Sequence, residues 1–286
     1  VTTIDLTKIP APDVVEALDF EEIYQEILAG FKALYPDWTA ALESDPVVKL
    51  LELATYRETL LRARVNDAAR ACMLAYATGG DLENLSALLG VTRLVSGNDA
   101  ESDDRLRLRA QMALEGVTVA GSHGSYVFHS LSASNLVKDV AVDSPDPGEV
   151  RVTILSTEGD GTPDEELIDA VDAYLSAETR RPLTDSVSVE TAEIVTFAVT
   201  ATLQIYPGPA SAPILAAAQA AVQAYVLEHA KLGMDVTLSG LYAALHQPGG
   251  VKKVVLASPL ADVTIGPRQA SHCTGITLTA EVVTDG

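Results

Sequence analysis

The chain has 286 residues, 48% of them hydrophobic, and 40 acidic against 19 basic side chains give it a formal net charge of -21. There is apolar material for one to three domains with real cores, inside a surface that repels nucleic acid and anionic membrane and favours partners with positive patches. With one Trp and four Phe, the cores must be built mostly from Ala, Leu, Val and Ile. Cys72 and Cys273 form neither a disulfide framework nor a metal signature, and read as reduced thiols of an intracellular fold. The opening Val-Thr-Thr-Ile-Asp carries no basic-then-apolar signal, and the apolar stretches are interrupted short of a membrane span.

Residues 1–18, with Pro10 and Pro12, read as an extended arm expected to lie on a neighbouring chain. A first helix is predicted from Asp19 or Phe20, with Phe20, Ile23, Tyr24, Ile27, Leu28, Phe31, Leu34 and Tyr35 on one stripe that ends before Pro36. Ser44 or Asp45 then caps a second helix that has Pro46 in its first turn and runs to about Ala77, roughly 45 Å at 1.5 Å per residue. Val47, Leu50, Leu51, Ala54, Leu61, Val65, Ala68 and Cys72 supply its apolar side, while Glu52, Arg57, Glu58, Arg62, Arg64, Asp67 and Arg70 alternate in sign over the rest. A solvated charged face and burial against helices of other subunits both fit this pattern. The helix's length and its Ala positions, which permit close approach, favour the second. Gly79-Gly80 is read as the end of this helix, and Asp81 as the start of a short one through Leu85, Leu88 and Leu89.

The polar stretch from Val95 to Asp104, with Gly97, is a domain boundary. Helical patterns follow at 103–115 and 124–131, around a turn at Gly116 and Gly121. From Val137 the period changes to two. Val137, Val140 and Val142, the turn Ser144-Pro145-Asp146-Pro147-Gly148, and Val150, Val152, Ile154 and Leu155 predict a hairpin. A helix opened by Pro163 follows, with Leu167, Ile168, Val171 and Leu175. Val187 and Val189 then lead into a long strand from Ile194 to Tyr206. An Ala-rich helix from Pro213 to about Ala230 and a shorter one from Ser239 to His246 come next, and a last strand is read through Val263 and Ile265. Val137-Lys138-Asp139-Val140 before Ser144-Pro145 echoes Val251-Lys252-Lys253-Val254 before Ser258-Pro259, each after a short helix holding a Tyr and a His (Tyr126 and His129; Tyr242 and His246). The fold class is α+β: an arm (1–18), an N-terminal long-helix region (19–95), and two related small α+β domains (96–190 and 191–286).

Residues with the makings of chemistry are scattered. Gly116, Gly121 and Gly124 are followed by no Gly-Lys-Thr/Ser and form no GxGxxG. His123 and His129 lack a third metal ligand in register, and His229, His246 and His272 stand alone. The carboxylates Glu21/Glu22, Asp103/Asp104 and Asp164/Glu165/Glu166 sit at helix starts, where they complement the dipole. No Gly-x-Ser-x-Gly suggests hydrolysis. The reading is a non-enzyme with no cofactor, no metal, no nucleic acid and no membrane partner.

Long words of the chain resemble the baseplate J-like family of P2-like contractile-tailed phages, which is also found in phage-tail-like bacteriocins. They are Ile4-Asp5-Leu6, Pro10 to Glu16, Leu18 to Glu21, Leu42 to Pro46, Val48 to Glu52, Tyr56-Arg57-Glu58, Arg64 to Ala71, Asp104 to Arg107, Val119 to Ser122, Tyr206 to Pro209, Leu241 to His246 and Ser258 to Asp262. The resemblance implies a structural wedge protein of a baseplate, assembled in the host cytoplasm. It implies two copies per wedge, N-terminal helices bundled with another wedge protein, and C-terminal parts that close a ring around the hub and hold and release the sheath. On that reading the contact residues are Phe20, Ile23, Ile27, Phe31, Val47, Leu50, Leu51, Ala54, Leu61 and Val65, with a hinge at Gly79, Gly80 and Gly97. The alternative is a surface- or glycan-binding module of the same particle, which would need exposed aromatics on a sheet.

Overall fold

The computed structural model describes residues 4–10, 12–39, 42–96, 99–118, 120–208, 210–247 and 249–284. The chain forms two compact units, one of residues 2–93 with 101–111, the other of residues 94–100 with 112–286.

The first unit is helical. Helix α1 (Phe20–Leu34) starts where the Asp19 carboxylate accepts the Glu21 and Glu22 N–H groups at 2.8 and 3.1 Å. Helix α2 (Pro46–Ala71) starts in the same way, with Asp45 accepting the Val47 N–H at 2.8 Å and Pro46 where its missing N–H is not needed. The two helices pack together, and Ile23, Val48, Leu51 and Thr55 are buried. The Thr55 hydroxyl is satisfied by donating to the Leu51 carbonyl at 2.8 Å. Helix α2 ends at Ala71, not at Ala77 as its apolar pattern suggested. A tight turn forms as Tyr76 and Ala77 both donate to the Met73 carbonyl, at 3.0 and 2.8 Å. Arg107, on α4 (Asp103–Met112), takes the Leu74 and Ala77 carbonyls at 2.8 Å each. Gly79 and Gly80 accordingly open α3 (Gly79–Leu88), where Gly79 donates its N–H to Asp103 at 3.0 Å.

The second unit begins with a two-residue ribbon, β1 (Val95–Ser96) and β2 (Asp99–Ala100), and contains two three-stranded sheets. After α5 (His123–Ala133), strands β3 (Val137–Asp143) and β4 (Glu149–Ser156) form the predicted hairpin, with Gly148 at φ 83° in its turn. Helix α6 (Glu165–Leu175) is capped by Asp164, and β5 (Ser186–Thr191) returns parallel to β4, giving the order β3-β4-β5. Strand β6 (Glu193–Ile205) begins two residues later and belongs to the other sheet, so the reading of Val187 and Val189 as a lead into one long strand was incomplete. Helices α7 (Ser211–His229) and α8 (Leu238–His246) and strands β7 (Val251–Ser258) and β8 (Gln269–Val282) complete that sheet in the order β7-β6-β8. Val263 makes only an isolated bridge to Val236; the last strand is β8, which the sequence reading missed.

Both sheets have an antiparallel edge, a centre and a parallel edge, and in both a helix (α5, α8) leads into the antiparallel edge strand. The echoed words thus occupy like positions. The wiring differs: the central strand follows the antiparallel edge in the first sheet and precedes it in the second. Alternate residues build each core: Val152 and Ile154 with Leu167, Val171 and Leu175; Ala201, Leu203 and Ile205 with Ala218, Val222 and Leu241.

Candidate interaction surfaces

Helix α2 presents two different faces. At about 100° per residue, Val48, Leu51, Thr55 and Asn66 share the buried side, and Leu50, Ala54, Leu61 and Val65 cluster roughly 120° away. Leu50 and Leu61 are each 65% exposed and Val65 58%, while the exposed Leu53, Tyr56 and Leu60 lie on a third side, about 120° farther round the helix. Single exposed leucines are ordinary, whereas three large apolar side chains aligned with an alanine on one side of a helix form a patch of the kind that marks a contact site. Burying such a side chain contributes roughly 1.5–3 kcal/mol, so even half of the patch would outweigh the surface ion pairs beside it.

The ten contact residues read from the sequence thus divide. Ile23 and Leu51 are buried within the unit; Ile27, Phe31 and Val47 are half-buried; Phe20, Leu50, Ala54, Leu61 and Val65 are exposed. Phe31 meets Trp38 edge-on, with ring centroids 5.4 Å apart. Within the single chain, the arm is held on α2. Buried Asn66 accepts the Glu16 N–H at 3.0 Å and donates to the Glu16 carbonyl at 2.9 Å. Tyr76 donates its hydroxyl to the Ile9 carbonyl at 3.1 Å. Arg62 gathers Glu58 at 2.6 Å and Glu16 and Glu26 at 3.6 Å each.

A charged network that the sequence reading missed closes the other end of this unit. The Glu101 carboxylate, fully buried, pairs with Arg109 at 2.6 Å and with Arg105 at 3.2 Å. Arg109 also donates to the Thr92 carbonyl at 3.1 Å. Arg93 reaches Glu83 at 2.6 Å, Asp103 at 2.7 Å and the Glu101 carbonyl at 2.5 Å. The Gly79 N–H and the Arg93 guanidinium hold the Asp103 carboxyl below its ordinary value, while burial pulls Arg105 down. Asp103 and Asp104 were read as dipole partners of α4. The spacing of Glu101, Arg105 and Arg109, four apart in sequence, was the available signal. Of the three hinge positions, Gly79 is tied into this network, Gly80 opens α3, and Gly97 lies outside the described residues.

In the second unit, Gly116 and Gly124 pack against side chains: an added Cβ would meet Phe128 at Gly116 and Glu115 at Gly124. His129 is buried beside Phe128 and Tyr174, and burial, then the charge on Arg180, lower its pKa. Tyr126 donates to Asp185 at 2.7 Å. Lys138, Ser156, Asp160, His272 and Cys273 line a cleft between the sheets. Asp139 bonds the Leu232 N–H at 2.9 Å, and burial raises its pKa. Among the described residues, no cluster of three His, Cys, Asp or Glu is placed to hold a metal, and no helix is long and apolar enough to cross a membrane.

These features describe an α+β chain whose N-terminal helices precede its two sheets. The chain belongs to the baseplate J-like family: its N-terminal domain pattern matches residues 43–99, its central domain 118–191 and its C-terminal domain 197–279. Baseplate protein J of Escherichia phage P2 is 47% identical over 289 residues, which cover 95% of each chain. Among solved structures, a chain of the anti-feeding prophage baseplate aligns with 90% of this chain at 14% identity and a TM-score of 0.33; this chain spans 53% of that one, and the likeness is loose.

Proposed function

We propose that the chain is a structural wedge subunit of a contractile-tail baseplate, and that the outer face of α2 docks helices of another wedge protein. The exposed stripe Leu50, Ala54, Leu61 and Val65 carries this reading, because α1 packs on a different side of the helix and leaves it open. Family membership and the close relationship to a phage baseplate protein support it. In the assembled particle, two copies enter each wedge and join a ring around the hub, and the ring holds the sheath until contraction. Movement of the helical part relative to the C-terminal domains at the turns near Gly79-Gly80 and Val95–Glu101 accommodates the change of state. The role is mechanical and not catalytic, and the site of action is the baseplate of a virion or tail-like particle, assembled in the host cytoplasm.

A glycan-binding role finds less support. Phe197 is the only Phe, Tyr or Trp on the described strands, and it is half-buried against the core. The test is light scattering of the purified chain alone and mixed with its wedge partners, for the wild type and for the double variant Leu50→Glu/Leu61→Glu. Defined mass gained only by the wild type, with both proteins folded, supports the proposal. Equal gain by both, or by neither, refutes the α2 assignment.

A further inference from the structure

We infer that the helix docked on α2 is acidic: an amphipathic helix of another protein, carrying two carboxylates about two turns apart that pair with Arg57 and Arg64. The inference rests on the docking face proposed above and adds the chemistry of its partner.

The local charge here runs against that of the chain as a whole. With Leu50 as the reference and about 100° per residue, the stripe of Leu50, Ala54, Leu61 and Val65 spans roughly 0–60°, and Arg57 and Arg64 stand beside it at roughly 320–340°. Both arginines are exposed. An open groove follows the stripe, with Arg57 on one rim and Glu58 and Arg62 on the other. The two rims differ. Arg62 holds Glu58 at 2.6 Å and Glu16 and Glu26 at 3.6 Å each, so its charge is met within the chain. Arg57 and Arg64 make no ion pair among the described residues. The side chains three and four positions from Arg57 along the helix are Leu53, Ala54, Leu60 and Leu61, and none is a carboxylate. Arg64 has Asp67 within that reach and forms no ion pair with it. Elsewhere in this unit Arg93, Arg105, Arg107 and Arg109 are each paired. In a chain with 40 acidic and 19 basic residues, two guanidinium groups are thus left open beside its exposed apolar stripe.

Docking turns this arrangement into a requirement. A helix laid in the groove strips water from the Arg57 guanidinium, and a desolvated charge without a counter-charge is strongly destabilising. A carboxylate on the incoming helix removes that cost, because guanidinium and carboxylate match in a two-bond fork. Arg57 and Arg64 are separated by about 10.5 Å along the axis, the rise of two turns. Carboxylates at the same spacing, on a helix lying along α2, meet both. The same charges disfavour α2 of a second copy as the occupant. Two such faces laid together would add arginines to arginines, and the one carboxylate beside the stripe, Glu58, is already held by Arg62.

Three synthetic helical peptides of about 20 residues test this. They share one leucine stripe and differ only at two positions on its border, two turns apart, which carry Glu, Gln or Lys. Fluorescence anisotropy of each labelled peptide with the full chain gives its Kd. The Glu peptide is expected to bind at least about 30-fold tighter than the Lys peptide, a factor equal to about 2 kcal/mol. With Arg57→Glu/Arg64→Glu the order should reverse, circular dichroism confirming that the variant is folded. Equal binding of the three peptides, no binding of any, or an order that does not reverse overturns the inference. So does a wild type that pairs with itself through α2, seen as concentration-dependent mass that Leu50→Glu/Leu61→Glu abolishes. The two readings fail separately. Binding that ignores peptide charge but is lost in Leu50→Glu/Leu61→Glu removes the acidic helix and keeps the docking face. Binding that is unchanged in Leu50→Glu/Leu61→Glu removes the docking face, and this inference with it.

Discussion

Replacing Arg109 by Met tests how the helical unit is held together. The substitution keeps the length and packing of the side chain and removes its charge, while the Glu101 carboxylate remains fully buried. The contacts that disappear include the 2.6 Å pair with Glu101 and the 3.1 Å bond to the Thr92 carbonyl. Breaking a buried ion pair from one side costs about 3–5 kcal/mol. Because Arg105 stays 3.2 Å from the same carboxylate, the lower end, about 3 kcal/mol, is expected. The chain's single tryptophan, Trp38, lies in this unit, so its fluorescence during urea unfolding reports on this unit separately from the sheets. With a urea slope of about 2 kcal/mol per molar, the Trp38 midpoint should fall by about 1.5 M. A fall of less than about 0.3 M would refute the argument, since it would mean that Glu101 reaches water or another cation at little cost.

Asn66→Ala removes both bonds to the Glu16 backbone, each contributing on the order of 1 kcal/mol, and should release the arm. Tryptic cleavage after Lys8 is then faster, while the Trp38 unfolding midpoint falls only slightly. His129 has a folded pKa below its ordinary 6.5, set first by burial and then by Arg180. The unfolded chain therefore binds the proton first, and stability is lost as pH falls from about 6.5 toward the folded value. His129→Leu should flatten that acid-side loss, seen by circular dichroism in urea at about pH 7.5 and about pH 5.5. Gly240→Ala places a Cβ 2.2 Å from the Tyr225 hydroxyl, which also accepts the Thr237 N–H at 3.1 Å. The variant should lose about 1–3 kcal/mol and melt earlier.

Local chemistry was the most legible part of the sequence. Asp19, Asp45 and Pro46 start their helices as read, and the Pro145–Gly148 turn joins the hairpin strands. The end of α2 was not legible, because the turn that follows it is held from outside, by Arg107 on the Leu74 and Ala77 carbonyls about thirty residues away. The apolar stripe of α2 was visible, but its division between inner and outer faces was not. The buried side includes Thr55 and Asn66, whose polar groups are bonded within the chain, to the Leu51 carbonyl and the Glu16 backbone. Strand β8 did carry a signal, with Ile276, Leu278 and Ala280 alternating with Thr277, Thr279 and Glu281, whereas the more apolar Val263–Ile265 segment drew the assignment. The break between β5 and β6 has no marker in composition, since a lone Ala192 separates them.

That alanine decides how a load would travel through the second unit. It is 5% exposed; its N–H bonds the Ile154 carbonyl of the first sheet at 3.0 Å, and the next N–H, of Glu193, bonds the Arg268 carbonyl beside the second sheet at 3.1 Å. The chain therefore passes from the edge of one sheet into the centre of the other with no slack between them. A pull along residues 186–205 runs lengthwise through ladders on both sides and must shear several backbone bonds together instead of peeling them singly. The two sheets then behave as one stiff strut, and compliance is left to segments outside it.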